Sequence, residues 1–140
     1  MRITPQALKT ACASSQHVIE TAKAIEVDPL LLASLIYHES RWQKTAVSNK
    51  KACGLTQVLA KYSPYSCTQL KKPKTSITEG AGILFFWLDK KTKPLHKALE
   101  CYASGYRCKS PAYSKAVLNY HRLMKKTYKT IKQLMEKPNE

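Results

Sequence analysis

The residue best placed to do chemistry in this chain is Glu39. It follows Ile36 by three positions, Leu35 by four and Leu32 by seven, so on a helix its carboxyl shares the apolar face. A carboxylate in that position loses hydration, which raises its pKa. A carboxyl still protonated near neutral pH is what a general acid requires. The competing reading is structural: a glutamate at a helix end that reaches solvent or pairs with a cation, with Arg41 the obvious partner. The remaining acids are Glu20, Glu26, Asp28, Glu79, Asp89, Glu100, Glu136 and Glu140, and no motif marks any of them as a second catalytic group.

The other reactive side chains are Cys12, Cys53, Cys67, Cys101 and Cys108. No CxxC and no Cys/His pair has metal-ligand spacing, so neither a zinc site nor a cofactor is expected. Cys53/Cys67 and Cys101/Cys108 are close enough in sequence to suggest disulfides. The preferred reading is small buried thiols in a protein made in a reducing cytoplasm. A thiol nucleophile would need a nearby histidine in a suitable site, and no motif supplies one.

The elements that must carry these residues are helical. Only 4 glycines occur, and the apolar residues recur at helical spacing. Thr4-Pro5 reads as a cap followed by proline at the first helical position, with Leu8, Ala11, Cys12, Val18, Ile19, Ala22 and Ile25 as its apolar stripe. Asp28-Pro29 repeats the signal and opens the helix of Leu32, Leu35 and Ile36. A polar stretch from about Gln43 to Cys53 leads into Gly54-Leu55-Thr56-Gln57 and a short apolar segment ending near Tyr62. Ser63 to Lys74, with two prolines, reads as loop. Ser76-Ile77-Thr78-Glu79 has capping-box spacing and is predicted to open an apolar helix through Ile83, Leu84, Trp87 and Leu88. A further helix is predicted from Pro94 to Ala103, broken near Gly105, and the longest from Ser110-Pro111 to about Glu136. The expectation is one all-α domain over residues 1–140, with about six helices and a long basic C-terminal helix from about residue 111.

Several short motifs follow one another at fixed distances. His38-Glu39-Ser40 precedes Ala46-Val47-Ser48 and Ala52-Cys53-Gly54-Leu55-Thr56-Gln57. Ser76-Ile77, Gly80-Ala81-Gly82-Ile83-Leu84, Ala98-Leu99-Glu100-Cys101-Tyr102-Ala103-Ser104-Gly105, Tyr113 and Val117 complete the series. In this order and spacing, from about Ala22 to Tyr120, the chain resembles the soluble lytic transglycosylase domain, related to goose-type lysozyme. The resemblance implies a lysozyme-like helical fold and a single catalytic carboxyl, Glu39. That group would protonate the β-1,4 glycosidic oxygen between N-acetylmuramic acid and N-acetylglucosamine in peptidoglycan. It would then act as base while the sugar's own O6 attacks C1, leaving a 1,6-anhydro end. By the same resemblance Ser48 and Gln57 face the cleft, Leu59 stands where the family commonly has a cleft-lining methionine, and Tyr102 matches a family tyrosine. Ser40 and Tyr113 join them as substrate-side residues, Ser40 with local hydrogen bonding as its alternative role and Tyr113 as a group that orients Glu39. Three departures bear on saccharide binding: Ala103 in place of asparagine, Lys51 in place of glycine, and Lys109 where many members have glutamate.

Charge sets the remaining expectations. The chain has 24 Lys and Arg against 9 Asp and Glu, a formal net charge of +15, which attracts polyanions. The last helix places Val117, Tyr120, Met124, Ile131 and Met135 at helical spacing, with Lys125, Lys126, Lys129, Lys132 and Lys137 among them. It reads either as a packed helix with a solvated basic face or as a contact for anionic wall polymers or membranes. No run of about 18 apolar residues suggests a membrane span. The first residues lack the apolar stretch of a signal peptide, so delivery by a holin or a virion is expected, as for a phage endolysin or wall-penetration enzyme. A bacterial secretion-associated enzyme is the competing origin. The rival functions are a hydrolytic muramidase and a non-catalytic basic protein that binds wall or nucleic acid. No nucleic-acid signature is present, so glycan strands are the expected partner and a monomer the expected state.

Overall fold

A computed structural model describes residues 2–89 and 94–136; Lys137, expected on the basic face, and Glu140 lie outside the described residues. The helices are α1 (Pro5–Ala24), α2 (Pro29–Ser40), α3 (Cys67–Leu70), α4 (Pro73–Asp89), α5 (Leu95–Ser104) and α6 (Pro111–Met135). A minimal antiparallel ladder, β1 (Ala52–Cys53) with β2 (Val58–Leu59), pairs Ala52 with Leu59 and Cys53 with Val58. The fold is a single, mostly helical domain consistent with the lysozyme-like expectation. No helix among the described residues is long and apolar enough to cross a membrane.

The helix starts follow from local chemistry. Thr4 Oγ1 accepts the Ala7 N–H at 3.1 Å, and Asp28 Oδ1 accepts the Leu30 N–H at 2.9 Å, each just before a proline. Both caps satisfy a backbone donor that the first turn leaves unpaired. Helix α2 is the centre of the domain, since Leu31, Leu32, Leu35 and Ile36 are all buried. Leu32 and Ile36 meet Val18, Ala22, Leu55 and Ile77 on one side. On the other, Leu31 and Leu35 meet Leu84, Leu99, Tyr113 and Val117. Two apolar faces on one helix fit a position between neighbours rather than at the surface.

Four sequence expectations are corrected. The buried stripe of α1 is Ala7, Ser14, Val18 and Ala22, whereas Leu8 and Ile19 are exposed and Cys12 is an exposed free thiol. Small residues on the inner face let α1 lie close against α2 and α4, which rotates the larger ones outward. Within the expected loop from Ser63 to Lys74, Ser66 and Gln69 form a capping box that starts α3, and α4 already begins at Pro73. The spacing at Ser76 to Glu79 is therefore not a cap: Ser76 is a buried helical residue whose Oγ accepts the Thr56 N–H at 3.1 Å. Finally, the four paired cysteines are not thiols. Cys53 joins Cys67 and Cys101 joins Cys108, because the ladder sets Cys53 against α3 and the turn after α5 folds Cys108 back onto that helix.

The contact between α4 and the loop before β2 is unusually close. Thr56 Oγ1 donates to the Ser76 carbonyl at 2.6 Å, and a Cβ added at Gly80 would overlap the Thr56 side chain. Gly80→Ala is therefore expected to destabilise the domain by about 1–3 kcal/mol, the ordinary cost of overpacking. Urea unfolding measures it; an unchanged midpoint would show that Thr56 yields without cost.

Candidate active site

Glu39 sits in the last turn of α2. The helix stops there because Arg41 and Trp42 take left-handed backbone angles (φ 51° and 64°), with Trp42 turning into the core. The carboxyl opens onto a cleft of about 1300 Å³, walled by β2, one face of α4, the end of α5 and the start of α6. Arg41, its candidate partner, turns away: Nη1 donates to Tyr37 Oη at 2.9 Å, and the guanidinium lies 5.3 Å from that ring's centroid. No salt bridge reaches Glu39 among the described residues.

Tyr113, in the first turn of α6, donates its hydroxyl to Glu39 Oε2 at 2.7 Å. Burial is the larger influence and drives the Glu39 carboxyl up from 4.5 to about 7, while the Tyr113 hydrogen bond acts in the opposite sense by favouring the carboxylate. Tyr102 stacks against Tyr113 with centroids 6.4 Å apart, and its hydroxyl donates to the Thr56 carbonyl at 2.7 Å. Burial, then the charge of Glu39, hold both tyrosines well above the usual phenol range, so they stay neutral donors. His38 packs edge-on to Tyr113 at 4.8 Å, and its burial, with the nearby Arg41 charge, lowers its pKa. Around the acid there is thus a neutral, aromatic wall.

Tyr113 is itself held by a group to which the sequence reading assigned no role. Ser110, which precedes α6, offers no side-chain cap. Instead the buried carboxylate of Glu100 on α5 accepts the Ser110 N–H at 3.1 Å and the Ser114 hydroxyl at 3.3 Å. Anionic oxygen at a helix N-terminus is favourable, and here it locks the turn that carries Tyr113.

The opposite wall is built by the segment Gly54 to Gln57. Gly54 has φ 81°, and a Cβ there would run into the Leu70 carbonyl, so both backbone and space require glycine. Gln57, also left-handed at φ 53°, spends its amide N–H groups on the Ala46 and Gly54 carbonyls, each at 3.0 Å. Ser48 Oγ accepts the Ala52 N–H at 3.1 Å. Lys51 adopts φ 67°, a bend open to glycine and costly for a lysine.

The structure brings Glu39, Ser48, Gln57, Leu59, Tyr102 and Tyr113 to one cleft, and Ala103 and Lys109 line it as well. Ser40 stands apart. It is buried, with Oγ donating to the Ile36 carbonyl at 3.1 Å, because one step along a helix turns a side chain by about 100°. Its local hydrogen bond, not a contact with the cleft, is what the structure contains. Sequence reasoning missed the far rim: Tyr62, Phe86, Trp87, Tyr106 and Arg107, and the acid Glu79. Glu79, Gly82, Ile83 and Phe86 recur at helical spacing, so one face of α4 was readable as a stripe. That this face lines a cleft was not readable. Glu79 is held by a 3.3 Å hydrogen bond from Ser63 Oγ.

Tyr113→Phe removes the bond that favours the Glu39 carboxylate, so the Glu39 pKa should rise further. For a reaction that needs protonated Glu39, the alkaline limb of the pH–rate profile moves to higher pH. The maximal rate should fall about tenfold, the scale of one hydrogen bond to a charged group. A limb that does not move would separate Tyr113 from the titration of Glu39.

A family model for the transglycosylase SLT domain matches residues 16–119, which include every cleft residue named above. No curated protein matches the chain. With a match over most of its length and a buried acid in an open cleft, this chain belongs to the transglycosylase SLT domain family, the lytic transglycosylases of peptidoglycan.

Proposed function

We propose that Glu39 alone cuts the β-1,4 bond between N-acetylmuramic acid and N-acetylglucosamine. Protonated Glu39 gives its proton to the glycosidic oxygen as the bond from that oxygen to C1 breaks, releasing the leaving sugar with a hydroxyl. The resulting carboxylate takes the proton from the C6 hydroxyl while O6 bonds to C1, which closes the 1,6-anhydro ring and restores the acid. The observation that carries this reading is a carboxyl held near pKa 7 by burial, with no cation paired to it among the described residues, in an open cleft. Ser48, Gln57, Leu59, Tyr102 and Tyr113 form the saccharide-side walls in this reading. Tyr62 and Tyr106, which are 78% and 83% exposed, line the same cleft and offer aromatic surface to sugar rings. Mass spectrometry of the sugars released from purified wall tests it: anhydro ends are expected.

One observation favours a second reading. Glu79 lines the same cleft, and a second carboxyl able to activate water is what a hydrolytic muramidase uses. Reducing ends that disappear in Glu79→Gln would establish hydrolysis; anhydro ends that persist in that variant would exclude it.

We further assign the enzyme to phage lysis or virion entry. Its support is a net charge of +15, suited to an anionic envelope; the two disulfides fit action outside a reducing cytoplasm by either this route or bacterial secretion. Expression in a bacterial host tests the lysis role: clearing that requires a co-expressed holin is expected, and clearing by the chain alone would count against it.

A further inference from the structure

The C-terminal half of α6 lies away from the cleft and beyond the family match, which ends at residue 119. The stripe that docks this helix comprises Tyr113, Val117, Tyr120 and Met124. Continued at steps of three and four residues, it runs through Tyr128, Ile131 and Met135, with Leu134 beside it. After Met124 no described residue covers it: every described residue from Lys125 to Glu136 is exposed. Ile131 is 50% exposed, Leu134 60% and Met135 80%. The helical part of this overhang, Lys125–Met135, is about 16 Å long at 1.5 Å per residue. On the opposite half of the helix stand Arg122, Lys125, Lys126, Lys129 and Lys132, and α6 contains no Asp or Glu.

We propose that this overhang is a membrane-surface helix that lays its apolar stripe into an anionic phospholipid bilayer, with the lysines at the headgroup phosphates. A contiguous exposed apolar stripe rimmed by charge calls for a partner, and the two halves of the helix restrict the choice. An anionic polysaccharide would engage the lysines and leave Ile131, Leu134 and Met135 in water. A second copy would cover the stripe while bringing together two overhangs that each set Lys125, Lys126, Lys129 and Lys132 against the one described acid Glu136. A bilayer surface rich in anionic lipid satisfies both halves at once. The overhang is too short to span such a bilayer, so it rests at the surface.

The test is flotation of the full chain with phosphatidylglycerol–phosphatidylcholine vesicles, beside vesicles of phosphatidylcholine alone. Wild type is expected to float with the former and to remain behind with the latter. Two variants divide the contributions: Ile131→Ser with Leu134→Ser, and Lys125→Gln with Lys126→Gln, Lys129→Gln and Lys132→Gln. Each should lower partition by about tenfold or more while keeping the wild-type thermal midpoint, a readout that does not depend on catalysis. Undiminished flotation of the serine variant would overturn the proposal in favour of simple polyanion attraction. A lipid-free dimer that the serine variant dissociates would overturn it in favour of a second copy. Wild type that fails to float would overturn it outright.

Discussion

Replacing Glu39 with glutamine is expected to abolish wall clearing and, at alkaline pH, to make the protein more stable than wild type. The loss of activity should be of the order of 10²–10⁴-fold, the usual worth of a positioned acid–base group, and it falls on both steps that the single carboxyl performs. The gain in stability has the same origin as the activity. In the folded protein the proton on Glu39 is held up to about pH 7, against an ordinary 4.5, because burial penalises the charge. The stability due to that proton is complete below about pH 4.5 and is lost as the pH rises through 7. Above that, ionised Glu39 costs the fold about 3 kcal/mol, an upper figure for a difference of this size. Glutamine keeps the Tyr113 hydroxyl supplied with an acceptor and cannot ionise. Urea unfolding at pH 4 should therefore give nearly equal stabilities for the two proteins, and at pH 8 the variant should be the more stable. Equal stabilities at pH 8 would mean that Glu39 is not desolvated and that the acid has no tuned pKa. Undiminished lysis by the variant would remove Glu39 from the mechanism.

Reducing the two disulfides is expected to lower stability by a large part of the total. Cys53–Cys67 closes a loop with a separation of 14 residues, and a loop of that size restricts the unfolded chain by about 3 kcal/mol in the chain-entropy account. Cys101–Cys108, with a separation of 7, adds about 2 kcal/mol on the same basis. A domain of this size has only about 5–15 kcal/mol in all. The Cys53–Cys67 bond also joins β1 to α3, whose Leu70 carbonyl lies against Gly54. Its loss should thus loosen the wall that carries Ser48 and Gln57 before the rest of the fold. Urea titrations with and without dithiothreitol measure the first effect, and Cys53→Ala with Cys67→Ala isolates the larger bond. Coincident unfolding curves in the two conditions would show that the crosslinks carry no stability.

The helices were legible because their signals are local. Thr4-Pro5 and Asp28-Pro29 each place a cap acceptor beside a residue that can only begin a helix, and both are used as read. Gly105, with φ 67°, ends α5 where the break was expected. Glu39 stood out for the same reason: its conflict with Leu32, Leu35 and Ile36 is a property of one helix. Capping-box spacing at Ser76 misled because Ser76 had a more distant partner. Thr56, 20 residues away, takes its hydroxyl, and Pro73 starts the helix earlier.

What the amino-acid sequence determined by itself was the four helices α1, α2, α5 and α6, the body of α4 but not its start, and the presence of one misplaced carboxyl, since these depend on residues within two turns of each other. Tertiary structure decided what that carboxyl can do. Burial by the surrounding helices raised its pKa, α6 brought Tyr113 to it across 74 positions, and Arg41 was drawn to Tyr37 instead. It also chose disulfides over thiols for four cysteines and placed Glu79 in the cleft and Ser40 outside it. Each of these outcomes turns on distances of a few ångströms between segments far apart in the chain, and neither spacing nor composition encodes such distances locally.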